Sequence, residues 1–251
     1  MNSNEFQGRV VIVTGAASGI GAATSTRLAE LGACVVVCDF DKAAVLAFSS
    51  RLNANGGNTV GIAADVRDAA ALQLAVDLAV SEFGGLHLAV NNAGVATPFA
   101  PVGSVAIEEW DRQIAINLTG AFNSLKAEIP AMISSGGGSI VNVASIAGVN
   151  GIKGRGAYVA AKHGLIGLTK SAALDYADQG LRVNAVAPGY VDSPLLRDRS
   201  ESERRLIEEM HPLGRMSTVD EQAELIIFLL SSRSSFCTGA CYLADGGFSA
   251  R

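Results

Sequence analysis

From end to end the chain alternates short runs rich in Val and Ile with longer stretches whose apolar residues recur at helical spacing. Few folds accommodate that order. The runs Arg9-Thr14, Cys34-Cys38, Thr59-Ala63, Leu86-Val90, Ser139-Val143, Arg182-Ala187 and Cys241-Ala244 mostly lack polar alternation, as strands of a parallel sheet covered on both faces do. Ile20-Leu31, Lys42-Asn53, Ala69-Phe83, Ile107-Ser134, Tyr158-Ala177 and Val219-Leu230 are the intervening helices. Strand and helix in this succession predict an α/β, doubly wound parallel sheet with right-handed crossovers. At 251 residues, 49% hydrophobic and 17% charged, with no repeat and no dividing linker, residues 1-251 are read as a single domain around one large core.

A glycine turn sits where this fold binds nucleotides. Val10-Val11-Ile12-Val13 leads straight into Thr14-Gly15-Ala16-Ala17-Ser18-Gly19-Ile20-Gly21 and then into the first helix. Gly15 permits the tight turn, Gly19 admits a pyrophosphate to the backbone, and Gly21 lets helix and sheet approach. Amides at the helix start then face the anion. Asp39 ends the second apolar run, where a carboxylate accepts hydrogen bonds from ribose hydroxyls and repels a 2′-phosphate. The expected cofactor is therefore NAD. Lys42 and Ser18 lie where a 2′-phosphate would be met, yet neither supplies an Arg; Asp41 is read as the cap of the next helix.

Tyr158 and Lys162 stand four apart at the start of a helix, hence on one face, and Ser145 ends the strand before them. A free tyrosine titrates near pH ~10, and a neighbouring ammonium lowers that value. Ser145 donates to a carbonyl oxygen while Tyr158 exchanges the proton.

With these residues in place the chain resembles the short-chain dehydrogenase/reductase family from about Gly8 to Phe248. It shares T-G-x-x-x-G-I-G at Thr14 to Gly21, N-N-A-G at Asn91 to Gly94, a lone Asn at Asn117, Ser145, Y-x-x-x-K at Tyr158 to Lys162, and P-G at Pro188-Gly189. The resemblance implies a Rossmann-type fold with a seven-stranded sheet and a catalytic tetrad of Asn117, Ser145, Tyr158 and Lys162. In it Lys162 binds the nicotinamide ribose and lowers the Tyr158 pKa, and Asn117 holds a water of the proton relay. It further implies cofactor contacts from Gly15, Ser18, Gly19, Ile20 and Gly21, from Asp65 and Val66 beside adenine, and from Asn91, Ala93 and Gly94 on the adenosine side. Pro188, Gly189, Val191 and Ser193 are implied near the nicotinamide; at Ser193 the family often has Thr. A homotetramer is the implied assembly.

The substrate is expected to be a secondary alcohol or ketone on an apolar body, cyclic ones included. Ala96, Thr97, Pro98, Ile146, Val149, Asn150, Leu195, Leu196 and Met210 face it, with no fixed cluster of cations. The segment 193-216, which breaks the strand-helix alternation, is the expected substrate flap. A 3-oxoacyl-[acyl-carrier-protein] reductase using NADPH is the competing enzyme, with Arg155, Arg197, Arg199, Arg204 and Arg205 as a docking patch. A non-catalytic NAD-binding scaffold is the reading from another class.

A net charge of -5 without basic clusters argues against nucleic acid and anionic membranes as partners. The start Met1-Asn2-Ser3-Asn4-Glu5-Phe6-Gln7-Gly8 lacks a signal-peptide pattern and no apolar run reaches membrane-spanning length, so a cytoplasmic protein is expected. Cys34/Cys38 and Cys237/Cys241, if on strands, stand roughly 13 Å apart at i,i+4, too far for a disulfide or a shared metal. No metal site is expected, and His87, His163 and His211 are read as structural or surface residues.

Overall fold

The computed structural model describes residues 5–96, 98–196 and 199–250, without the side chain of Leu195. Seven parallel strands form one sheet in the order β3-β2-β1-β4-β5-β6-β7. They are β1 Val10–Thr14, β2 Cys34–Asp39, β3 Asn58–Ala63, β4 Leu88–Asn91, β5 Gly138–Val143, β6 Leu181–Pro188 and β7 Cys241–Ala244. The helices are α1 Gly19–Glu30, α2 Lys42–Ala54, α3 Ala69–Phe83, α4 Ile107–Ile114, α5 Gly120–Ser134, α6 Gly156–Tyr176, α7 Glu201–Glu209 and α8 Val219–Leu230.

Strand periodicity explains how both faces are covered. On β1 and β2, Val11, Val13, Val35 and Val37 point to one face, against Leu28 of α1, Phe48 of α2 and Ile226 of α8. Val10, Ile12, Val36 and Cys38 point to the other, against Val76 of α3 and Leu125 and Met132 of α5. Every residue of β1 is buried, which is why these runs carry no polar alternation. Burial pushes the Cys38 thiol up to about 12, so it is an inert core residue. Only Cys34 and Cys38 share a strand; Cys237 precedes β7, and all four cysteines are free thiols.

Chain order reverses between β1 and its neighbours β2 and β4, and the crevice opens at the carboxyl ends of the strands there. Asp41 caps α2 through the Ala44 amide at 3.0 Å, as expected. The predicted helix Ile107-Ser134 is three pieces, α4 and α5 joined by a π-turn over Ala115–Thr119 that carries Asn117. Such turns mark functional positions in many helices. Among the described residues no helix is long and apolar enough to cross a membrane.

Beneath the crevice lies a buried polar layer. Asn91 Nδ2 donates to Asn142 Oδ1 (3.0 Å) and to Glu128 Oε2 (3.2 Å), and Asn142 Nδ2 donates to Thr169 Oγ1 (2.9 Å). Among the described residues Glu128 has no ion pair, and its burial pushes its pKa up to about 7 despite the Asn91 bond. The folded value lies above the ordinary carboxylate value, so this contribution to stability is complete below about pH 4.5 and is lost as pH rises through about 7. Glu128→Gln keeps the shape and stays neutral. Denaturant melts should show little change near pH 5 and a gain on the order of 3 kcal/mol near pH 8.

Candidate active site

A cleft of about 840 Å³ runs along the carboxyl ends of the strands. One half is built on β1, β2 and β3. Gly15 (φ 63°) and Gly19 (φ 57°) take left-handed backbone, and Gly21 packs its α-carbon against the Gly15 carbonyl, leaving no room for a side chain. A Cβ at Gly19 would project into open cleft, with Ser193 Cβ its nearest neighbour at 3.9 Å. The turn is therefore a cradle in which only glycine lets a ligand reach the backbone. Asn92 Nδ2 braces it, donating to the Thr14 and Gly15 carbonyls at 3.0 Å each.

Asp39 lines this half and accepts hydrogen bonds from the amides of Ala17 (3.0 Å) and Asp41 (3.3 Å). Those bonds fix the carboxylate at the end of β2 without neutralising it. Asp65 and Val66 also line the cleft, with exposed Phe40 at its rim. Arg67 hydrogen-bonds Asp65 and holds its carboxyl below the usual range. Lys42 is exposed and does not line the cleft.

The other half is built on β4, β5, β6 and the start of α6. Ser145 leaves the end of β5; its hydroxyl accepts from the Ala147 amide at 3.1 Å and lies beside Tyr158 in the cleft lining. Tyr158 opens partly to the cleft, yet burial raises its pKa; Ser145 and the Arg155 charge pull it down, and Tyr190 pushes it up. Lys162 is buried, which lowers its pKa to about 8. Its Nζ donates to the Val143 carbonyl at 2.8 Å and stands 5.7 Å from the Tyr158 ring centroid. The Lys162 ammonium is thus shared between the Val143 carbonyl and the neighbourhood of the Tyr158 ring.

Asn117 stands on the π-turn behind Gly94. Its side chain is fully buried and spent on three bonds, accepting from the Val95 amide (3.0 Å) and donating to the Val95 carbonyl (3.1 Å) and Gln113 Oε1 (2.8 Å). Asn117 pins the loop at Gly94, where a Cβ would lie 2.8 Å from Asn117 Oδ1 and 3.6 Å from Lys162 Nζ. Asn91, expected beside the adenosine, turns its side chain into the polar layer under the sheet; Asn92, Ala93 and Gly94 line the cleft. Gly21 acts through packing and not as lining.

Ser18, Ile20, Pro188, Gly189, Val191 and Ser193 all line the cleft, as do Ala96, Ile146 and Leu196 from the substrate expectation. Pro98, Val149, Asn150 and Met210 do not, and Thr97 and the Leu195 side chain lie outside the described residues. The substrate end is not free of cations. Arg112 and Arg155 line it, a feature hidden in the sequence because the contact joins Ala100 to Arg155 across the chain. The imagined docking patch dissolves: Arg199 pairs with Glu203 (2.9 Å), Arg204 with Asp192 (2.8 Å) and Arg205 with Glu201 (2.6 Å), while Arg197 lies outside the described residues. His87 accepts from the Val10 amide, and His211 Nε2 accepts from the Tyr190 amide, both structural. Among the described residues no group of His, Cys, Asp and Glu is arranged to hold a metal ion.

A family model described as enoyl-(acyl carrier protein) reductase matches residues 15–249. Cyclohexanol dehydrogenase of Acinetobacter sp. (strain SE19) is 44% identical over 249 residues, 99% of this chain and 98% of the relative. Cis-4-hydroxycyclohexanecarboxylate dehydrogenase of Sinomonas cyclohexanicum is 43% identical over 245 residues, 98% of each. Among solved structures, carveol dehydrogenase from Mycobacterium avium in complex with NAD superposes with a TM-score of 0.94 at 29% identity, covering 99% of this chain and 100% of that one.

Proposed function

The chain belongs to the short-chain dehydrogenase/reductase family, and from that premise we propose that it uses NAD to oxidise a secondary alcohol on an apolar, cyclic body, with Tyr158 moving the carbinol proton. It is an oxidoreductase acting on CH–OH groups with a nicotinamide cofactor. The observation that carries the finer reading is that Ser145, Tyr158 and Lys162 line the same cleft as the glycine cradle and Asp39. The residues present fit a dinucleotide, since the cradle excludes side chains and a fixed carboxylate stands where two ribose hydroxyls would donate.

The bound nicotinamide supplies the hydride chemistry. Ser145 donates its hydroxyl proton to the substrate oxygen and orients it. Tyr158, as tyrosinate, accepts the carbinol proton during oxidation and returns it during reduction. Lys162 is the cation of the nicotinamide-ribose end, and Asn117 is a positioning residue that holds Gly94 and Val95 in place. Asp39 favours NAD because its carboxylate repels a 2′-phosphate, and it has no ion pair among the described residues.

The segment 193-216 is the substrate flap in this reading. Its ends are tied by a parallel bridge between Val191 and Ser217, and Pro194 and Leu196 reach the cleft. A homotetramer suits the exposed apolar side chains of Trp110, Phe122 and Leu174 on α4, α5 and α6 and of Leu243 on the edge strand. The test is NAD reduction by a panel of cyclic and open-chain secondary alcohols. Turnover of cyclohexanol-type alcohols is expected; turnover confined to acyl thioesters with NADPH overturns the reading.

A further inference from the structure

Arg155 is the N-cap of α6 and precedes Tyr158 by three residues. Its backbone is held by the bridge to Ala100 and by its own amide on the Ile152 carbonyl at 3.1 Å. The N-terminus of a 21-residue helix is where a cation is least welcome. Caps there are normally Ser, Thr, Asp or Asn, and Arg155 makes no side-chain capping bond. Local energetics therefore give no reason for an arginine at this position.

The cleft does give one. Three arginines line it, and two are matched by carboxylates: Arg67 by Asp65 at 2.9 Å and Arg112 by Glu109 at 2.8 Å. Arg155 has no ion pair among the described residues. The carboxylates lining the cleft, Asp39 and Asp65, both stand at the ends of β2 and β3, on the opposite side of β1 from Tyr158. What remains is a half-buried arginine with no ion pair among the described residues, in a cleft that Val95, Ile116, Ile146 and Ile152 also line. A planar fork of donors in apolar walls is complementary to a carboxylate, which it binds through two parallel hydrogen bonds.

We propose that Arg155 binds a carboxylate on the substrate, so that the preferred substrate is a cyclic secondary alcohol, or the matching ketone, bearing a ring carboxylate. This rests on the reading of the cleft as an alcohol dehydrogenase site and names its substrate class. The apolar ring lies against the isoleucine walls, the carbinol meets Ser145 and Tyr158, and the carboxylate meets Arg155.

Initial rates with hydroxycyclohexanecarboxylates and the corresponding carboxamides test it, because the pair differs in charge and hardly in shape. Wild-type kcat/KM should favour the carboxylate by at least about 30-fold. Arg155→Gln should collapse that ratio to about one, and Arg155→Lys should restore only part of it. A wild-type ratio near one overturns the proposal without any variant, and so does a ratio that survives in Arg155→Gln. An equal loss on both substrates, with the alkaline limb of the pH profile moved upward, would overturn it by showing that Arg155 acts through Tyr158. A raised KM for NAD with an unchanged substrate ratio would overturn it by assigning Arg155 to the cofactor. Absence of turnover with any secondary alcohol, charged or neutral, would sink the dehydrogenase reading itself.

Discussion

Tyr158→Phe should lower kcat for alcohol oxidation by about three orders of magnitude or more while leaving the fold and dinucleotide binding intact. Loss of a positioned acid/base costs typically 10²–10⁴ in rate. Phenylalanine fills the same volume in a site where the ring packs near Lys162 Nζ, so packing is kept. The pH dependence carries the sign. Burial holds Tyr158 above its ordinary value, with Ser145 and Arg155 offsetting part of the rise. Oxidation needs the tyrosinate and should therefore climb as pH rises toward that value; ketone reduction needs the protonated form and should fall over the same range. The residual rate of Tyr158→Phe should lack the tyrosine limb in both directions. A variant retaining more than about a tenth of wild-type kcat would remove Tyr158 from the proton path.

Replacing Asp39 should have the second largest effect. In Asp39→Ser the ribose loses a charged acceptor, a loss of about 10- to 100-fold in NAD affinity at ~1.5–3 kcal/mol for a hydrogen bond to a charged group. The same change removes the repulsion of a 2′-phosphate, so the preference should move toward NADP by about 10² or more in kcat/KM. Asp39→Asn separates the two terms. It keeps an acceptor for the Ala17 amide, which Asp39 now holds at 3.0 Å, and it removes the charge. An Asn variant that still discriminates as the wild type does would mean that the turn itself, and not the charge, selects the cofactor.

Much of this was legible in the residues. The apolar runs lie on the seven strands because a buried parallel strand needs no polar face, and Ala69–Phe83, Val219–Leu230 and Cys241–Ala244 fall on their expected bounds. The glycine turn and the Tyr158–Lys162 spacing were readable because their geometry is local. What escaped was set by tertiary direction. Asn91 is paired in register with Asn142, and its side chain joins the polar layer between β4, β5, α5 and α6, a choice no dipeptide motif reveals. The π-turn around Asn117 leaves the apolar pattern of Ile107-Ser134 unbroken, so only the hydrogen bonds expose it. Helical spacing puts Lys162 on the same face as Tyr158 but cannot show that its ammonium also donates to the Val143 carbonyl. Arg155 was visible as a charge, and only the fold shows it in the cleft without a carboxylate.

The most direct measurement supplies the purified protein with NAD and cyclohexanol deuterated at the carbinol carbon, then examines the reduced nicotinamide by mass spectrometry and NMR. NADH carrying one deuterium from the alcohol, formed alongside cyclohexanone and absent in Tyr158→Phe within the time of several wild-type turnovers, is the expected result. Failure to reduce NAD with this or any other cyclic secondary alcohol, or NADH formed without the label, would contradict hydride transfer from a carbinol held by Ser145 and Tyr158.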